Sequence, residues 1–166
     1  MILGMSMRSF TLIHMLISLT GVGSGFLVIA GFLNRKYFDG WIAIFFTTSI
    51  LTTVTGFAFP FDRLLRSHIL GLLSLLALNI ALFLQNVFGL GGWRRAAYVV
   101  TIATTLYFNC FAAVVQLFAK IPALKAIAPT QTEPAFLSAQ CLVLAIFVVL
   151  TYVAAMRFRV VVIRTT

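Results

Sequence analysis

The chain has 166 residues, of which 62% are hydrophobic and 9% are charged, whereas about 25% of the residues in a soluble domain are charged. Its net charge of +9 comes from short basic clusters scattered along the chain rather than from one basic face, so nucleic acid is excluded as an expected partner. Cys110 and Cys141 both fall inside apolar runs and form no CxxC or Cys/His motif, which excludes a disulfide framework and a cysteine-based zinc site.

Five long apolar runs divide the chain, and all of its charged residues lie between or beyond them. A run of about 20 apolar residues can cross the hydrocarbon core as a helix, and only helices or closed barrels satisfy their backbone hydrogen bonds there. The sequence therefore predicts an all-α integral membrane protein, a single membrane domain built as a five-transmembrane-helix bundle. The predicted spans are about 9–33, 41–60, 68–90, 96–118 and 136–156. The first run is too long for a cleaved signal peptide, so we expect it to be retained as span 1.

An odd number of spans places the two termini on opposite sides of the membrane. We call the side that holds the N-terminus side A and the other side B. The basic residues on side A are Arg8, Arg63, Arg66, Lys120 and Lys125, and those on side B are Arg35, Lys36, Arg94, Arg95, Arg157, Arg159 and Arg164. Lys and Arg are enriched on the cytoplasmic side of a membrane. Side B holds seven basic residues and side A holds five, so we expect the N-terminus outside and the C-terminus in the cytoplasm.

Several spans have a polar face. The polar residues of span 4 that recur at helical spacing are Tyr98, Thr101, Thr105, Asn109 and Gln116. Such a face is typical of helix–helix packing in membranes, and the alternative is a polar cavity toward side A. The candidates for lining that cavity are Ser18, Thr55, Asn109, Gln116, Gln140 and Glu133.

The chain has two histidines, and both lie near side A. His14 follows the start of span 1 by about one turn, and His68 lies in the first turn of span 3. Ionisable residues inside spans usually face the bundle and mark function, and two facing imidazoles at matched depth can bind a haem iron. The hypothesis is a single b-type haem between His14 and His68, with room for its ring along the glycine face of span 1. The residues expected on the propionate side are Arg63, Arg66 and Lys120.

The alternative is that the two histidines are structural. His68 would then cap span 3 at the interface, and His14 would hydrogen-bond to a neighbouring helix. Two histidines alone form a poor zinc site, so a metal would need a third ligand, such as Glu133 from the long connection. The sequence leaves the haem site, the structural role and the metal site open as alternatives for the two histidines.

The longest connection, 119–135, contains three of the four prolines. Pro122 favours the start of a short helix, in which Ile121, Leu124 and Ile127 would dip into the membrane interface. The connection is either a lid over a side A pocket or an ordinary surface loop.

The sequence contains no Ser/His/Asp order, no Walker loop and no HExxH helix. Its three acidic residues all lie in connections, whereas a pump driven by protons or cations normally needs a carboxylate within the membrane. We therefore expect no catalytic residue and no active transport through buried acids.

Four segments together resemble a group of small bacterial inner-membrane proteins of uncharacterised activity: TGFAFPFD at 55–62, SHILG at 67–71, LYFN at 106–109 and KIPALK at 120–125. The resemblance covers spans 2 to 5 and the long connection, and it implies a bacterial cytoplasmic membrane without implying an activity. A looser resemblance, which rests on His14 and His68, is to small b-type membrane cytochromes. These often carry four axial histidines for two haems, so this chain could hold one haem at most.

Short loops favour a non-enzymatic accessory or assembly subunit of a larger membrane complex, bound to other subunits or to copies of itself within the lipid bilayer. One alternative is an electron-transfer protein with one haem. The other is a passive pore or carrier for a small neutral solute, lined by hydroxyl and amide faces. The residues of those faces are Thr48, Thr52, Thr55, Thr105, Asn109 and Gln116.

Overall fold

The computed structural model describes residues 4–59, 66–87 and 90–158, apart from the side chains of residues 66–68 and 87. Within these ranges every regular element is a helix. The helices are α1 (Met7–Leu33), α2 (Asp39–Phe57), α3 (Arg66–Val87), α4 (Trp93–Lys120), α5 (Pro122–Ile127) and α6 (Pro134–Arg157). All except the six-residue α5 are long and apolar enough to cross a membrane, which confirms the prediction of five long apolar helices.

The helix ends differ from the predicted ends by a few residues. The sequence places the end of span 2 at Pro60, but α2 ends at Phe57, and the Ala58 amide bonds to the Thr55 carbonyl. A proline disfavours helical backbone in the residue before it, so the helix ends ahead of Pro60, which itself lies outside the described residues.

A tight connection joins α1 to α2. The Lys36 amide donates to the Gly31 carbonyl at 2.8 Å, and Arg35 has a φ of 59°. A β-carbon at Gly31 would lie 2.8 Å from the Phe38 ring and 3.1 Å from the Lys36 carbonyl oxygen. Glycine at this position therefore lets the chain turn back directly against the end of α1.

The helix α4 lies at the centre of the bundle. It packs against α1, α3, α5 and α6, while α1 also packs against α2 and α6, and α2 packs against α3. The α4 residues Tyr98, Ile102 and Leu106 are fully buried. They meet a core contributed by every other long helix, including Phe32, Phe45, Leu78 and Phe147. We use side A for the end of the bundle where α1, α3 and α6 begin, and side B for the end where α2 and α4 begin.

Glycines bring α1 close to α2 and α4. A β-carbon at Gly25 would lie 2.6 Å from Leu106 Cδ1 and 2.8 Å from the Phe45 ring, and one at Gly21 would lie 3.2 Å from Thr48 Oγ1. Small residues allow this close approach of helices. The sequence predicts room for a flat ring along this face, but side chains of α2 and α4 fill it.

A second, smaller core lies at side A. The Phe118 and Phe136 rings meet edge to face with centroids 5.3 Å apart, and Ala128 is buried beside them. This contact ties the end of α4 to the start of α6.

The short helix α5 begins at Pro122, as the sequence predicts. Leu124 packs partly buried against the small core, whereas Ile121 and Ile127 are 40% and 56% exposed. Of the three residues predicted to enter the interface, Leu124 therefore faces the protein, and the other two are free to face a membrane.

Candidate functional site

A hydrogen bond between α1 and α2 holds His14 in place. The His14 Nδ1 lies 2.7 Å from the Thr55 Oγ1. The Thr55 hydroxyl also donates to the Leu51 carbonyl oxygen at 2.6 Å. A hydroxyl has one proton to donate, so the His14 Nδ1–H is the donor to Thr55. The Nε2 of the neutral ring is then left as an acceptor.

Aromatic and small residues surround the half-buried His14 ring. Phe59 packs against it at a centroid distance of 5.3 Å and an angle of 87°, and Phe10 packs against Phe59 at 5.0 Å. A β-carbon at Gly56 would lie 3.8 Å from the His14 Cε1. Lys120, at the end of α4, is close enough to interact electrostatically with the ring. As far as the structure describes the chain, the environment of His14 is thus aromatic, and the Lys120 cation lies within electrostatic reach.

The hydroxyl groups along this α1–α2 seam bond mainly within their own helices. Ser18 donates to the His14 carbonyl oxygen at 2.8 Å, and Thr48 donates to the Ile44 carbonyl oxygen at 2.7 Å. The Thr52 Oγ1 is buried and has no hydrogen-bond partner among the described residues. Only Thr55 of the predicted hydroxyl face of α2 therefore bonds across to α1.

Asn109 joins α4 to α2 in the interior of the bundle. Its Nδ2 donates to the Ser49 Oγ at 3.2 Å, and Ser49 is 1% exposed. Thr105, one turn earlier on α4, is fully buried and donates to the Thr101 carbonyl oxygen. These polar groups serve contacts between helices and within α4.

The two predicted glutamines have different surroundings. The Gln140 Nε2 donates to the Phe111 carbonyl oxygen at 3.3 Å, and its Oε1 is buried without a partner among the described residues. Gln116 is exposed on the outside of α4. The candidate cavity residues therefore do not meet at one site: Thr55 bonds at the α1–α2 interface, Asn109 at α2–α4 and Gln140 at α4–α6, while Ser18 bonds within α1.

The Glu133 carboxylate accepts hydrogen bonds within the loop that precedes α6. Its Oε1 accepts from the Thr130 amide at 3.0 Å and from the Thr130 hydroxyl at 2.8 Å, and its Oε2 accepts from the Thr132 amide at 3.0 Å. Desolvation raises the pKa of Glu133, but these hydrogen bonds outweigh it and lower the pKa to about 2. Both carboxylate oxygens are therefore occupied within the loop.

The predicted haem and metal ligands are described only in part. Arg63 lies outside the described residues, as do the side chains of Arg66 and His68, so the pairing of His14 with His68 stays a prediction. Of the residues expected on the propionate side, Lys120 is described. In the part of the chain that is described, no three His, Cys, Asp or Glu side chains come together as a set of metal ligands.

The sequence analysis missed a hydrogen-bonded network at side B. The Tyr98 hydroxyl donates to the Gln85 Oε1 at 3.1 Å, so the Tyr37 hydroxyl, 3.2 Å from that of Tyr98, is the donor to Tyr98. Phe32 and Phe158 pack against each other beside these rings, with centroids 4.5 Å apart. Desolvation raises the pKa of Tyr37.

The hairpin geometry contained a signal for this network. Gln85 lies two residues before the end of α3, and Tyr98 lies five residues after the start of α4. Long side chains lean toward the N-terminus of their own helix, so Tyr98 leans toward the connection and Gln85 leans away from it. The two polar ends therefore reach the same level of the hairpin.

These contacts hold helices together, and within the described ranges they leave the His14 Nε2 as an acceptor without an assigned role. A comparison with known proteins found no matching family model, no matching curated protein and no matching solved structure. The resemblance to small bacterial inner-membrane proteins, the haem hypothesis and the carrier hypothesis therefore stay predictions from the sequence.

Proposed function

We propose that this chain is a multi-pass protein of a bacterial inner membrane, with its N-terminus outside and its C-terminus in the cytoplasm. The five helices that are long and apolar enough to cross a membrane support this proposal. The larger number of basic residues on side B supports the orientation. The resemblance of four segments to bacterial inner-membrane proteins supports the compartment.

Within that membrane, we propose that the chain is a non-enzymatic subunit that binds another membrane protein through α6. This is the least buried of the long helices: 17% of its most apolar stretch is buried, against 28–39% in the other four. Its outward face includes Ser138, Cys141 and Ala145, which recur at helical spacing and are all exposed.

The small residues on this face carry the proposal. A shallow hollow of about 360 Å³ lies on the outer surface of α6, lined by Ala145, Ile146, Val149 and Leu150. Helices associate in membranes through van der Waals packing, and small residues let the two backbones approach closely. A helix face that contacts only lipid does not need small residues. A partner helix therefore explains the small residues of this face better than lipid does.

Native purification with a matched pair of variants tests the proposal. The wild-type chain, extracted in a mild detergent from the cells that naturally make it, is expected to elute as a complex larger than the monomer. Ala145→Leu fills the hollow and should release the partner. Ala43→Leu makes the same change at an exposed position on α2 and should leave the complex intact. A wild-type monomer, or equal retention of the partner by both variants, would contradict the proposal.

A further inference from the structure

A groove runs between α4 and α6 on the outside of the bundle. It encloses about 330 Å³. The rings of Tyr107 and Phe147, with centroids 5.7 Å apart, form an aromatic floor, and Leu144 and Val148 form an aliphatic wall. The two rings are inclined at 61° to each other, edge to face. The groove is therefore lined by aromatic and aliphatic side chains and is mainly apolar.

Four hydroxyl groups line this groove: those of Thr104, Tyr107, Thr151 and Tyr152. None of them makes a hydrogen bond within the described part of the chain. Seven other threonines on the long helices donate to the carbonyl oxygen four residues earlier, namely Thr11, Thr20, Thr48, Thr53, Thr55, Thr101 and Thr105, whereas Thr52 on α2 has no partner among the described residues. The groove thus brings together hydroxyl groups that are free to bind a ligand.

The helix directions bring these hydroxyl groups to a similar level of the groove, from the two helices that flank it. The contacts of Tyr107 with Phe147 and of Phe118 with Phe136 show that α4 and α6 are antiparallel. Long side chains lean toward the N-terminus of their own helix, so we expect Tyr107 and Tyr152 to lean toward each other along the groove. Thr104, between them, adds a donor near the middle.

The depth of the groove bears on the nature of its occupant. Thr104 lies nine residues after Arg95, and Thr151 lies six residues before Arg157. At a rise of about 1.5 Å per residue, they lie about 14 Å and about 9 Å from these basic residues. The headgroup layer is only about 5–7 Å thick on each side, so in the proposed membrane the hydroxyl groups lie within the hydrocarbon region. An unpartnered hydroxyl group is unfavourable there.

We propose that the groove binds the ring of a lipid-soluble quinone. A flat ring stacks against one of the two inclined aromatic rings, Tyr107 or Phe147, and its two carbonyl oxygens, on opposite edges, accept hydrogen bonds from hydroxyl groups of α4 on one side and of α6 on the other. The ester carbonyls of a phospholipid lie at the interface, above this level. This inference rests on the proposed membrane location. The groove borders the face of α6 on which the partner is proposed, since Tyr152 lies two turns after Ala145, but Ala145 itself does not line the groove.

Equilibrium binding tests the inference. The purified chain in dioleoyl-phosphatidylcholine nanodiscs is titrated with a decyl-substituted benzoquinone, and the retained quinone is measured by its ultraviolet absorbance against empty nanodiscs. We expect saturable binding of one quinone per chain. Tyr107→Phe and Thr104→Val should each weaken it about fivefold, the effect of one hydrogen bond of about 1 kcal/mol. Thr20→Val, whose hydroxyl bonds to the Leu16 carbonyl on α1, should leave the affinity unchanged.

Three results would overturn the inference. The first is retention no greater than in empty nanodiscs. The second is equal competition by decylbenzene, which has the same tail and no carbonyl, because the groove would then accept any apolar chain. The third is unchanged affinity in both hydroxyl variants, provided that circular dichroism and elution volume match the wild type. Loss of the α6 partner in Ala145→Leu is independent of all three, so failure of either proposal can be recognised separately.

Discussion

The His14 Nδ1 lies 2.7 Å from the Thr55 Oγ1, across the seam between α1 and α2. Because the Thr55 proton is donated to the Leu51 carbonyl oxygen, the neutral ring carries its own proton on Nδ1. We predict that nitrogen-15 NMR of labelled histidine shows this tautomer for His14. Thr55→Val removes the acceptor, so the fraction of rings protonated on Nε2 should rise.

A neighbouring threonine provides the control for this prediction. Thr52 lies one turn earlier on α2, and its hydroxyl has no partner among the described residues. Thr52→Val should therefore leave the His14 tautomer unchanged. A wild-type His14 ring protonated on Nε2 would show that Thr55 is not the acceptor.

Tyr98 joins three structural elements at side B. Its hydroxyl donates to Gln85 on α3 and accepts from Tyr37 in the α1–α2 connection. Tyr98→Phe leaves both partners without this bond, so we expect the free energy of unfolding to fall by about 1–2 kcal/mol. Tyr37→Phe removes only one of the two bonds and should cost about half as much. Reversible unfolding in a denaturing detergent measures both values, and a larger loss for Tyr37→Phe would contradict the role of Tyr98 as the residue that makes both bonds.

The helices could be predicted from the sequence because the charge-free runs have the length of membrane spans. The contact between His14 and Thr55 could also be predicted from the sequence. In a helical hairpin, residues that lie equally far from the turn pack against each other. His14 and Thr55 lie equally far from the middle of the α1–α2 connection, and so do Gly21 and Thr48.

Contacts between helices that are not consecutive could not be predicted in this way. Asn109 was identified in the polar face of span 4, but its partner Ser49 depends on how α2 and α4 are rotated and shifted. Asn109 and its partner Ser49 are 60 residues apart in the sequence. If the same spacing is applied to Gln116, it lies level with Gly56, near the end of α2. Little of α2 remains to cover Gln116, so it is exposed although it shares a helix face with Asn109.

The packing of α1 leads to a prediction about haem. Side chains of α2 and α4 fill the space beside Gly21 and Gly25, so the glycine face of α1 leaves no room for the ring that the sequence places there, and we expect no bound haem. The protein purified from haem-replete cells should then show no Soret band. A Soret band that is lost in both His14→Ala and His68→Ala would contradict this prediction and would support the axial pair that the sequence suggests.

The loop before α6 should respond to acid through Glu133. Its hydrogen bonds to Thr130 and Thr132 lower the pKa of Glu133 from its ordinary 4.5 to about 2. A pKa lowered by folding means that the stabilisation is fully present above about pH 4.5 and is lost as the pH falls toward 2. Hydrogen exchange at the Thr130 and Thr132 amides, corrected for the intrinsic rate at each pH, should show protection that falls within this window.

Glu133→Gln separates this carboxylate from other acid-sensitive groups. Glutamine keeps one acceptor oxygen but has no charge to titrate, so protection of the Thr130 and Thr132 amides should be lower at neutral pH and should not change between pH 4.5 and 2. The other described acid, Asp39, lies in the first turn of α2 at side B, at the opposite end of the bundle from this loop. An acid response that persists in Glu133→Gln would therefore contradict the role assigned to Glu133.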